Sequence, residues 1–315
     1  MEYLGTDKPV NKIQPVVSVC IQTYQHAAFI AECLDSVLMQ ETDFPYEIIV
    51  GEDDSKDGTR EICKEYAEKY PDKIRLFLRD EKDKIFINGR KTGRFNFIEN
   101  LKAARGEFIA LCDGDDYWID ESKLRQQQEL IVSNKLVACY SNHYIKTTAS
   151  LSLNNPFNNQ YKEHKLIELS PKTVGSSRLL IGQLSTLVAK SIFIKEFIGN
   201  SLAKEIWAAD GLLFLLLSSY GRVGYLNAAF SLYRIEGQGV TSIAKTKLFY
   251  INRSREYDLL RQGFPKYKSS LRYLSNSCLY NSEKTEKSSL CRRVKLFFNF
   301  LLYGYFNLAL KLARF

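Results

Sequence analysis

The chain has 315 residues, of which 45% are hydrophobic and 25% charged, and these proportions are typical of a folded globular protein. Gly (17) and Pro (7) are sparse and no low-complexity tract occurs, which argues against long disordered linkers. The net charge of +8 is uneven, because residues 245–315 hold 15 Lys and Arg against 4 Asp and Glu, so the rest of the chain carries −3. That balance argues against a nucleic-acid partner for the larger part of the chain.

Apolar, β-branched runs alternate with helical patterns along the first half of the chain. Strands separated by helices of about 10–15 residues form parallel sheets that are covered on both faces. We therefore predict an α/β fold whose mostly parallel sheet is sandwiched between helices. The expected strands are residues 16–21, 46–50, 73–78 and 108–112, and the expected helices are residues 28–39 and 57–70.

The second half of the chain is less regular. Residues 142–180 are polar and rich in Asn, Ser and Lys, so we expect a loop region that lies over a binding site. A helix over residues 207–220 and a strand over residues 223–226 come next. After the loop at residues 234–242, the pattern is helical and basic.

Three polar clusters follow the predicted strands, at residues 22–25, 52–55 and 113–116. In parallel sheets, ligands bind outside the carboxyl ends of the strands, where such clusters meet. We therefore expect the three clusters to converge at one edge of the sheet and to form the functional site.

The cluster at residues 113–116 supplies three carboxylates, from Asp113, Asp115 and Asp116. Their mutual repulsion is costly without a cation, and ligands that are all oxygen favour Mg²⁺ or Mn²⁺. Such an ion could bridge the two phosphates of a nucleoside diphosphate. The alternative is an acidic turn that caps the helix expected near Ser122.

The second cluster places Glu52 and Asp53 at the end of a strand. A carboxylate there could accept a hydrogen bond from the ring N–H of a uracil-type base, which would select a pyrimidine nucleotide. Residues 57–59 are explained by a strand-to-helix turn, with Asp57 or Thr59 as the N-cap.

These segments together resemble the family 2 glycosyltransferases, which have a GT-A fold. The resemblance rests on Thr-Tyr-Gln after the first strand, on Glu-Asp-Asp-Ser-x-Asp-Gly-Thr and on Asp-Gly-Asp-Asp, and it covers about residues 14–242. It implies that Asp115 is the principal metal ligand, with Asp113 as a contact to the metal or the ribose. The residues that it implies for nucleotide-sugar binding are Thr23, Tyr24, Glu52, Asp53, Asp113 and Arg234.

The resemblance also implies an acidic catalytic base at the start of a later helix, which falls on Asp210. Such a base would deprotonate the acceptor hydroxyl, and direct attack on an α-linked donor would invert the configuration. The alternative role for Asp210 is a helix N-cap. Arg234 could clamp a pyrophosphate or could be an exposed charge at the end of a strand. The family often has a His where this chain has Glu236.

The resemblance implies a metal-dependent, inverting glycosyltransferase with a catalytic domain over residues 14–242 and a basic helical extension over residues 243–315. The donor would be a nucleoside-diphosphate sugar, with UDP favoured, and the acceptor a hydroxyl of a glycan or of a lipid-linked glycan. The alternative is a non-catalytic protein of the same fold that binds nucleotide sugars.

The C-terminal segment, residues 290–315, combines cations with an aromatic and aliphatic run. Its uncharged stretch of 15 residues would be about 22 Å long as a helix, too short to cross a bilayer. Peripheral contact with a membrane surface and a helix packed on the protein both remain open. The seven scattered cysteines contain no Cys-x-x-Cys pair, and the N-terminus has no signal-peptide pattern. We expect buried, reduced thiols and a cytoplasmic protein, with any membrane contact at the inner face.

Overall fold

The computed structural model describes residues 1–5, 14–154, 156–157, 162–170, 183–235 and 246–284. Its contacts divide the chain into two compact units. The first unit comprises Met1–Leu169 and Gly182–Glu236, and the second comprises Ser170–Ile181 and Gly237–Phe315. The expected domain boundary between residues 242 and 243 falls outside the described residues and stays a prediction.

The first unit is an α/β structure built on one large sheet. The strands are β1 (Glu2–Tyr3), β2 (Val17–Thr23), β3 (Tyr46–Glu52), β4 (Ile74–Leu78), β5 (Ile85–Ile87), β6 (Arg90–Thr92), β7 (Phe108–Asp113), β8 (Tyr117–Trp118), β9 (Ala138–Thr147), β10 (Leu151–Leu153), β11 (Leu166–Leu169), β12 (Val188–Lys190) and β13 (Val223–Ile235). The helices are α1 (Ile30–Leu38), α2 (Thr59–Lys69), α3 (Arg94–Ala103), α4 (Lys123–Ser133), α5 (Ser191–Ile194), α6 (Glu196–Gly199) and α7 (Ala209–Tyr220).

The order of strands in the large sheet is β1-β4-β3-β2-β7-β12-β9-β13-β11, with β10 on β9 and β8 on β13. The neighbours β4, β3, β2 and β7 are parallel, and β9 is parallel to β13. Strands β5 and β6 form a separate hairpin. The four predicted strands of the first half are confirmed, as is the prediction of an α/β fold with a mostly parallel central sheet.

Helix α1 illustrates how the sequence pattern produces this packing. Its buried residues Ile30, Cys33, Leu34 and Val37 follow the i, i+3, i+4, i+7 spacing of one helix face. Burial of an aliphatic side chain contributes on the order of 2 kcal/mol, so this face is sufficient to hold the helix on the sheet. The five described cysteines of the first unit are all buried and free, as predicted.

A polar layer beneath the sheet fixes the ends of β2 and β3. The side-chain amide groups of Asn96 and Asn100, on α3, donate to the carbonyls of Gly51 (2.7 Å) and Ile21 (3.0 Å). Their oxygens accept hydrogen bonds from Arg79, at 3.2 and 3.0 Å. A Cβ atom at Gly51 would overlap both amide groups, so the close approach of helix and strand requires a glycine there.

The prediction that residues 142–180 form a loop is wrong for a large part of the segment. Strand β9 continues to Thr147, while β10 and β11 are also formed there. Polar residues such as Ser141 and Asn142 are buried because β9 pairs with β13, whose residues come 85 to 88 positions later. Residues 155, 158–161 and 171–182 lie outside the described part.

The second unit contains α8 (Lys247–Gly263) and α9 (Lys268–Lys284), which confirms, over these residues, the helical pattern expected beyond residue 242. The two helices pack together, and Ser254 and Ser275 share a buried hydrogen bond of 2.8 Å. Over the described part of the chain, no helix combines the length and apolar character needed to cross a bilayer. The C-terminal segment 290–315 lies outside the described residues.

Candidate functional site

The three polar clusters meet at the carboxyl edge of the parallel strands. Strand β2 lies between β3 and β7, and its register pairs Thr23 with Glu52 and Gln22 with Asp113. The expected convergence of these clusters follows directly from this strand order.

Asp113 ends β7 in a buried polar setting. Its carboxylate accepts a hydrogen bond from the side-chain amide of Gln22, and its backbone N–H donates to Ser185 Oγ (2.9 Å). Burial, followed by the charge of Asp115 and, to a smaller extent, that of Asp210, raises the pKa of Asp113 to about 7, although the hydrogen bond from Gln22 opposes them. Asp210 therefore acts electrostatically on the same edge of the sheet as the cluster at residues 113–116.

Asp115 has a partly exposed carboxylate, with about a third of its side chain exposed (32%). Its Oδ2 atom lies 3.9 Å from Nε2 of His26. The preceding Gly114 approaches the end of β2 so closely that a Cβ atom would lie 2.7 Å from Thr23 Oγ1. Gly114 therefore allows the turn to bring Asp115 beside the end of β2.

Asp116 has a structural role in the same turn. Its fully buried carboxylate accepts hydrogen bonds from Ser185 Oγ (2.6 Å), Arg234 N (3.0 Å) and the side-chain amide of Gln183. Burial, followed by the charges of Asp115 and Asp113, raises the pKa of Asp116 well above its usual range.

The alternative role of the acidic turn as a helix cap is wrong. The helix in question is α4, whose N-cap residue is Ser122, and Asp120 accepts the hydrogen bond of the Ser122 N–H at 2.8 Å. The carboxylates of residues 113–116 therefore have no part in capping α4.

Arg234, at the end of β13, is buried, so its interpretation as an exposed charge is wrong (4% of the side chain is exposed). The guanidinium donates to the carbonyl of Asp115 (3.2 Å) and forms an ion pair with Glu32 on α1. It also lies between the rings of Phe29 and Tyr117, 4.9 and 4.7 Å from their centroids. These contacts hold the acidic turn, residues 113–116, in position. A direct contact of Arg234 with pyrophosphate stays a prediction.

Glu52 and Asp53 differ in how their oxygens are used. The fully buried Glu52 accepts the N–H of Ser55 (2.7 Å) and forms an ion pair with Arg60, so both of its oxygens serve the turn. Asp53 is also buried, but its Oδ1 atom has no hydrogen-bond partner among the residues that the structure describes. Burial raises the pKa of Asp53 to about 6, although the charge of Lys84 opposes this. Only Asp53 has an acceptor oxygen left for a ligand.

No sequence pattern identified Lys84 as a residue of the site. Its buried ammonium lies 3.8 Å from Asp53 Oδ2, 3.0 Å from Glu81, and 3.5 Å above the ring centroid of Tyr24. Tyr24 itself is partly exposed (43%). The Lys84 cation therefore connects the two predicted nucleotide contacts Asp53 and Tyr24.

The predicted strand-to-helix turn at residues 57–59 is present, but the prediction that Asp57 or Thr59 is the N-cap is wrong. Asp57 accepts the N–H of Thr59 (3.1 Å), but the N-cap residue is Gly58, whose φ of 101° lies in the left-handed region. A glycine adopts this conformation without strain.

Asp210 is the second residue of α7, where it accepts the N–H of Gly211 at 2.9 Å. The N-cap residue of α7 is Ala208, so the interpretation of Asp210 as the N-cap is wrong. Besides Asp113, the charge of Asp210 raises the pKa of the buried Tyr140, for which burial is the larger cause. The charge of Asp210 therefore raises the pKa of one side chain on β7 and of one on β9.

Arg94, the first residue of α3, holds the segment that leads to Asp210. The buried guanidinium donates to the carbonyls of Ala203 and Trp207 (3.1 Å for the latter) and lies 5.4 Å from the ring centroid of Phe197. No sequence pattern identifies this contact, because the partners are more than a hundred positions apart.

The donor set at the acidic turn fits a hard divalent cation. Within the described ranges, no three His, Cys, Asp or Glu side chains are already arranged as a metal site. Mg²⁺ is commonly held by one or two carboxylates while substrate phosphates complete its coordination. Asp115 presents a partly exposed carboxylate, and a cation beside Asp113 would relieve the repulsion that raises its pKa.

Comparison with known families identifies one match. The model of the family "Glycosyl transferase family 2" matches residues 18–178. The first curated relatives that the chain matches, from Mycobacterium bovis and Mycobacterium tuberculosis, are 40% identical over 111 residues, which is 35% of this chain and 30% of each relative. The chain therefore spans under a third of the length of these relatives.

A longer match is with the Escherichia coli protein WfgD, a UDP-Glc:α-D-GlcNAc-diphosphoundecaprenol β-1,3-glucosyltransferase. It is 26% identical over 275 residues, 85% of this chain and 94% of WfgD. Among solved structures, Staphylococcus aureus TarS 1–349 in complex with UDP-GlcNAc has a TM-score of 0.58 and 20% identity, covering 91% of this chain and 81% of that one.

The mannosyltransferase PcManGT from Pyrobaculum calidifontis, in complex with GDP-Man and Mn²⁺, has a TM-score of 0.58 and 18% identity. The match covers 94% of this chain and 82% of that one. At this identity, the two structures establish the fold alone, and that fold is the GT-A architecture expected from the sequence.

Proposed function

Because the chain belongs to glycosyl transferase family 2, we propose that it transfers a sugar from a nucleoside-diphosphate sugar to a hydroxyl group of a glycan or of a lipid-linked glycan. The observation that carries the proposal is the meeting of Asp53, Asp113 and Asp115 at the carboxyl edge of β2, β3 and β7, with the charge of Asp210 acting on Asp113. Ligands bind at this edge in open α/β sheets.

Asp53 would recognise the nucleobase of the donor. Its unpartnered Oδ1 is a buried acceptor, and a buried acceptor without a hydrogen bond is costly, so a ligand N–H bound there is favoured. Uracil offers a ring N–H between two carbonyl oxygens, and the Lys84 ammonium close by is a donor for such an oxygen. The exposed ring of Tyr24 offers a stacking surface, and Thr23 would contact the nucleoside. A UDP-sugar is therefore the favoured donor, as in the TarS complex.

Asp115 and Asp113 would hold a divalent ion, Mg²⁺ or Mn²⁺, beside the diphosphate. When bound, such an ion neutralises the charge that develops on the leaving diphosphate. PcManGT was solved with Mn²⁺, which supports a divalent ion in this fold. Arg234 would keep the acidic turn in position through the carbonyl of Asp115.

Asp210 would act as the general base. It would accept the proton of the acceptor hydroxyl as that oxygen attacks the anomeric carbon, and displacement from the opposite face inverts the configuration of the sugar. The partly exposed position of Asp210 in the first turn of α7 supports this role, because an incoming hydroxyl must reach the carboxylate.

A membrane-associated acceptor is favoured by one relative, since WfgD acts on a diphosphoundecaprenol-linked sugar. The basic and apolar segment 290–315 could bring this protein to the inner face of a membrane. Co-sedimentation with anionic vesicles should then decrease in a truncation that ends at Ser289 and in high salt. Equal sedimentation of both forms would contradict membrane contact through this segment.

The proposed function is tested by incubating the purified full chain with a panel of nucleotide sugars in Mn²⁺, in Mg²⁺ and in EDTA. Slow release of free nucleotide diphosphate from one or a few donors, lost in EDTA, is the expected result. Tight binding of a donor without any release, even with candidate acceptors, would instead favour a non-catalytic binding protein. That alternative draws support from Ala209, which stands where many family members have a second acid beside Asp210.

A further inference from the structure

His26 lies beside the acidic turn and is held there by its own backbone. Its N–H donates to Thr59 Oγ1 (2.8 Å) at the start of α2, and its carbonyl accepts the N–H groups of Phe29 (2.9 Å) and Ile30 (2.8 Å) at the start of α1. Two helix starts therefore fix the position of this residue relative to the sheet.

The two ring nitrogens of His26 have different surroundings. Nδ1 lies 3.3 Å from Thr23 Oγ1, and Nε2 lies 3.9 Å from Asp115 Oδ2, too far for a hydrogen bond. In the part of the chain that the structure describes, Nε2 has no other polar partner. When the proton resides on Nδ1 and is shared with Thr23, the lone pair of Nε2 is directed away from that bond and is available to a cation.

The spacing between Nε2 and Asp115 Oδ2 is compatible with a shared ion. Two ligand atoms about 2.1 Å from one octahedral ion are about 3.0 Å apart when they are neighbours in its shell, so a shift of under about 1 Å would bring both atoms into coordination.

We propose that His26 Nε2 and Asp115 Oδ2 coordinate the same divalent ion, and that the nitrogen ligand makes this site prefer Mn²⁺ to Mg²⁺. The inference rests on the proposed function, because the ion is the one expected beside the donor diphosphate. Mg²⁺ is a hard cation that takes oxygen ligands, whereas imidazole ligands suit transition metals and add to the affinity for them. His26 thus determines which of the two ions is used.

The direct test is electron spin echo envelope modulation of Mn²⁺ bound to the full chain in the presence of UDP. A directly coordinated imidazole gives a nitrogen modulation, which we expect in the wild type and expect to be lost in His26→Asn. The matched control is His164→Asn, because His164 is exposed and its φ of 56° is one that asparagine tolerates. This control variant should keep the nitrogen modulation. The preference for Mn²⁺ over Mg²⁺, measured as the ratio of the two dissociation constants with UDP, should fall in His26→Asn only.

Two results would overturn this inference and leave the proposed function intact. The first is Mn²⁺ bound by the wild type with UDP but without nitrogen modulation, and the second is a modulation that persists in His26→Asn. A wild-type protein that binds no Mn²⁺ with UDP would overturn both proposals. Circular dichroism checks that each variant is folded, and His26→Gln is a second variant should His26→Asn fail to fold.

Discussion

The nucleotide side of the site, formed by β2, β3 and β7, differs from the side formed by β9, β12, β13 and α7 in how its turns are held. Glu52 and Asp57 accept N–H groups that lie three and two positions away in the chain. On the other side, the segment that leads to α7 is held by Arg94, whose guanidinium donates to the carbonyls of Ala203 and Trp207 at separations of 109 and 113 positions. Glu52 and Asp57 thus make local hydrogen bonds within their turn, whereas the segment that leads to Asp210 is held by remote contacts.

This difference implies a division of roles that mutations can test. Changes at the nucleotide side should affect donor binding or the stability of the sheet. Changes around α7 should affect turnover while donor binding remains, because the proposed general base, Asp210, lies on that side.

Replacing Asp210 with Asn, which is nearly isosteric, should lower kcat by roughly 10²–10⁴-fold because the general base is removed. UDP binding measured by calorimetry should stay within a few-fold of the wild type. Asp43→Asn, the same substitution at an exposed position, is the control. Turnover near the wild-type level in Asp210→Asn would show that another group accepts the proton.

Arg94→Ala should lower kcat on the order of 10²-fold without a matching change in UDP affinity. The variant lacks the guanidinium that donates to the carbonyls of Ala203 and Trp207, just before α7. The resulting displacement of Asp210 need be only about 1 Å to have an effect of this size on kcat. Arg94→Lys should recover part of the loss. Arg105→Ala is the control, because Arg105 pairs with the buried Glu47 at the amino end of the strands. It should lower stability yet keep kcat, and equal losses of kcat in both variants would indicate a general effect of instability.

Gly51→Ala should destabilise the nucleotide side by about 1–3 kcal/mol, since the added methyl group overlaps the buried amides of Asn96 and Asn100. Urea unfolding of the variant measures this change in the free energy of unfolding. Gly199→Ala, where a Cβ atom meets nothing within 4 Å, should change it by less than about 0.5 kcal/mol. Equal stability of the two variants would contradict the tight packing of α3 on β3.

Donor binding should weaken as the pH falls below about 6, the raised pKa of Asp53. Above this pH the carboxylate accepts the ring N–H of the base, and below it protonation removes that acceptor, by at most about tenfold in affinity per pH unit. The affinity should be measured with a UDP-sugar, because its diphosphate is esterified at both ends and therefore does not titrate between pH 5 and 7.5. Asp53→Asn should bind more weakly and lose the pH dependence, and a wild-type affinity that is constant from pH 5 to 7.5 would contradict the role of Asp53.

The sequence was sufficient for those parts of the molecule that local patterns determine. Strands β2, β3, β4 and β7 and their terminal polar clusters follow from apolar runs and their spacing. Strand β9 was missed because its polar residues are buried only through pairing with β13. Lys84 and Arg94 were missed for a related reason, since their contacts with Tyr24 and Trp207 exist only after the chain has folded. Asp210 was found through the family resemblance, not through any local pattern.

We propose that the carboxyl edge of β2, β3 and β7 binds a nucleoside diphosphate together with a divalent ion at Asp115. Calorimetric titration of UDP into the full chain, in Mn²⁺ and in EDTA, for the wild type and for Asp115→Ala, tests it most directly. We expect the wild type to bind UDP at least tenfold more tightly in Mn²⁺ than in EDTA, a ratio that corresponds to about 1.4 kcal/mol. Asp115→Ala should show the weak affinity under both conditions, and a wild-type affinity that is independent of Mn²⁺ and of Asp115 would contradict the account.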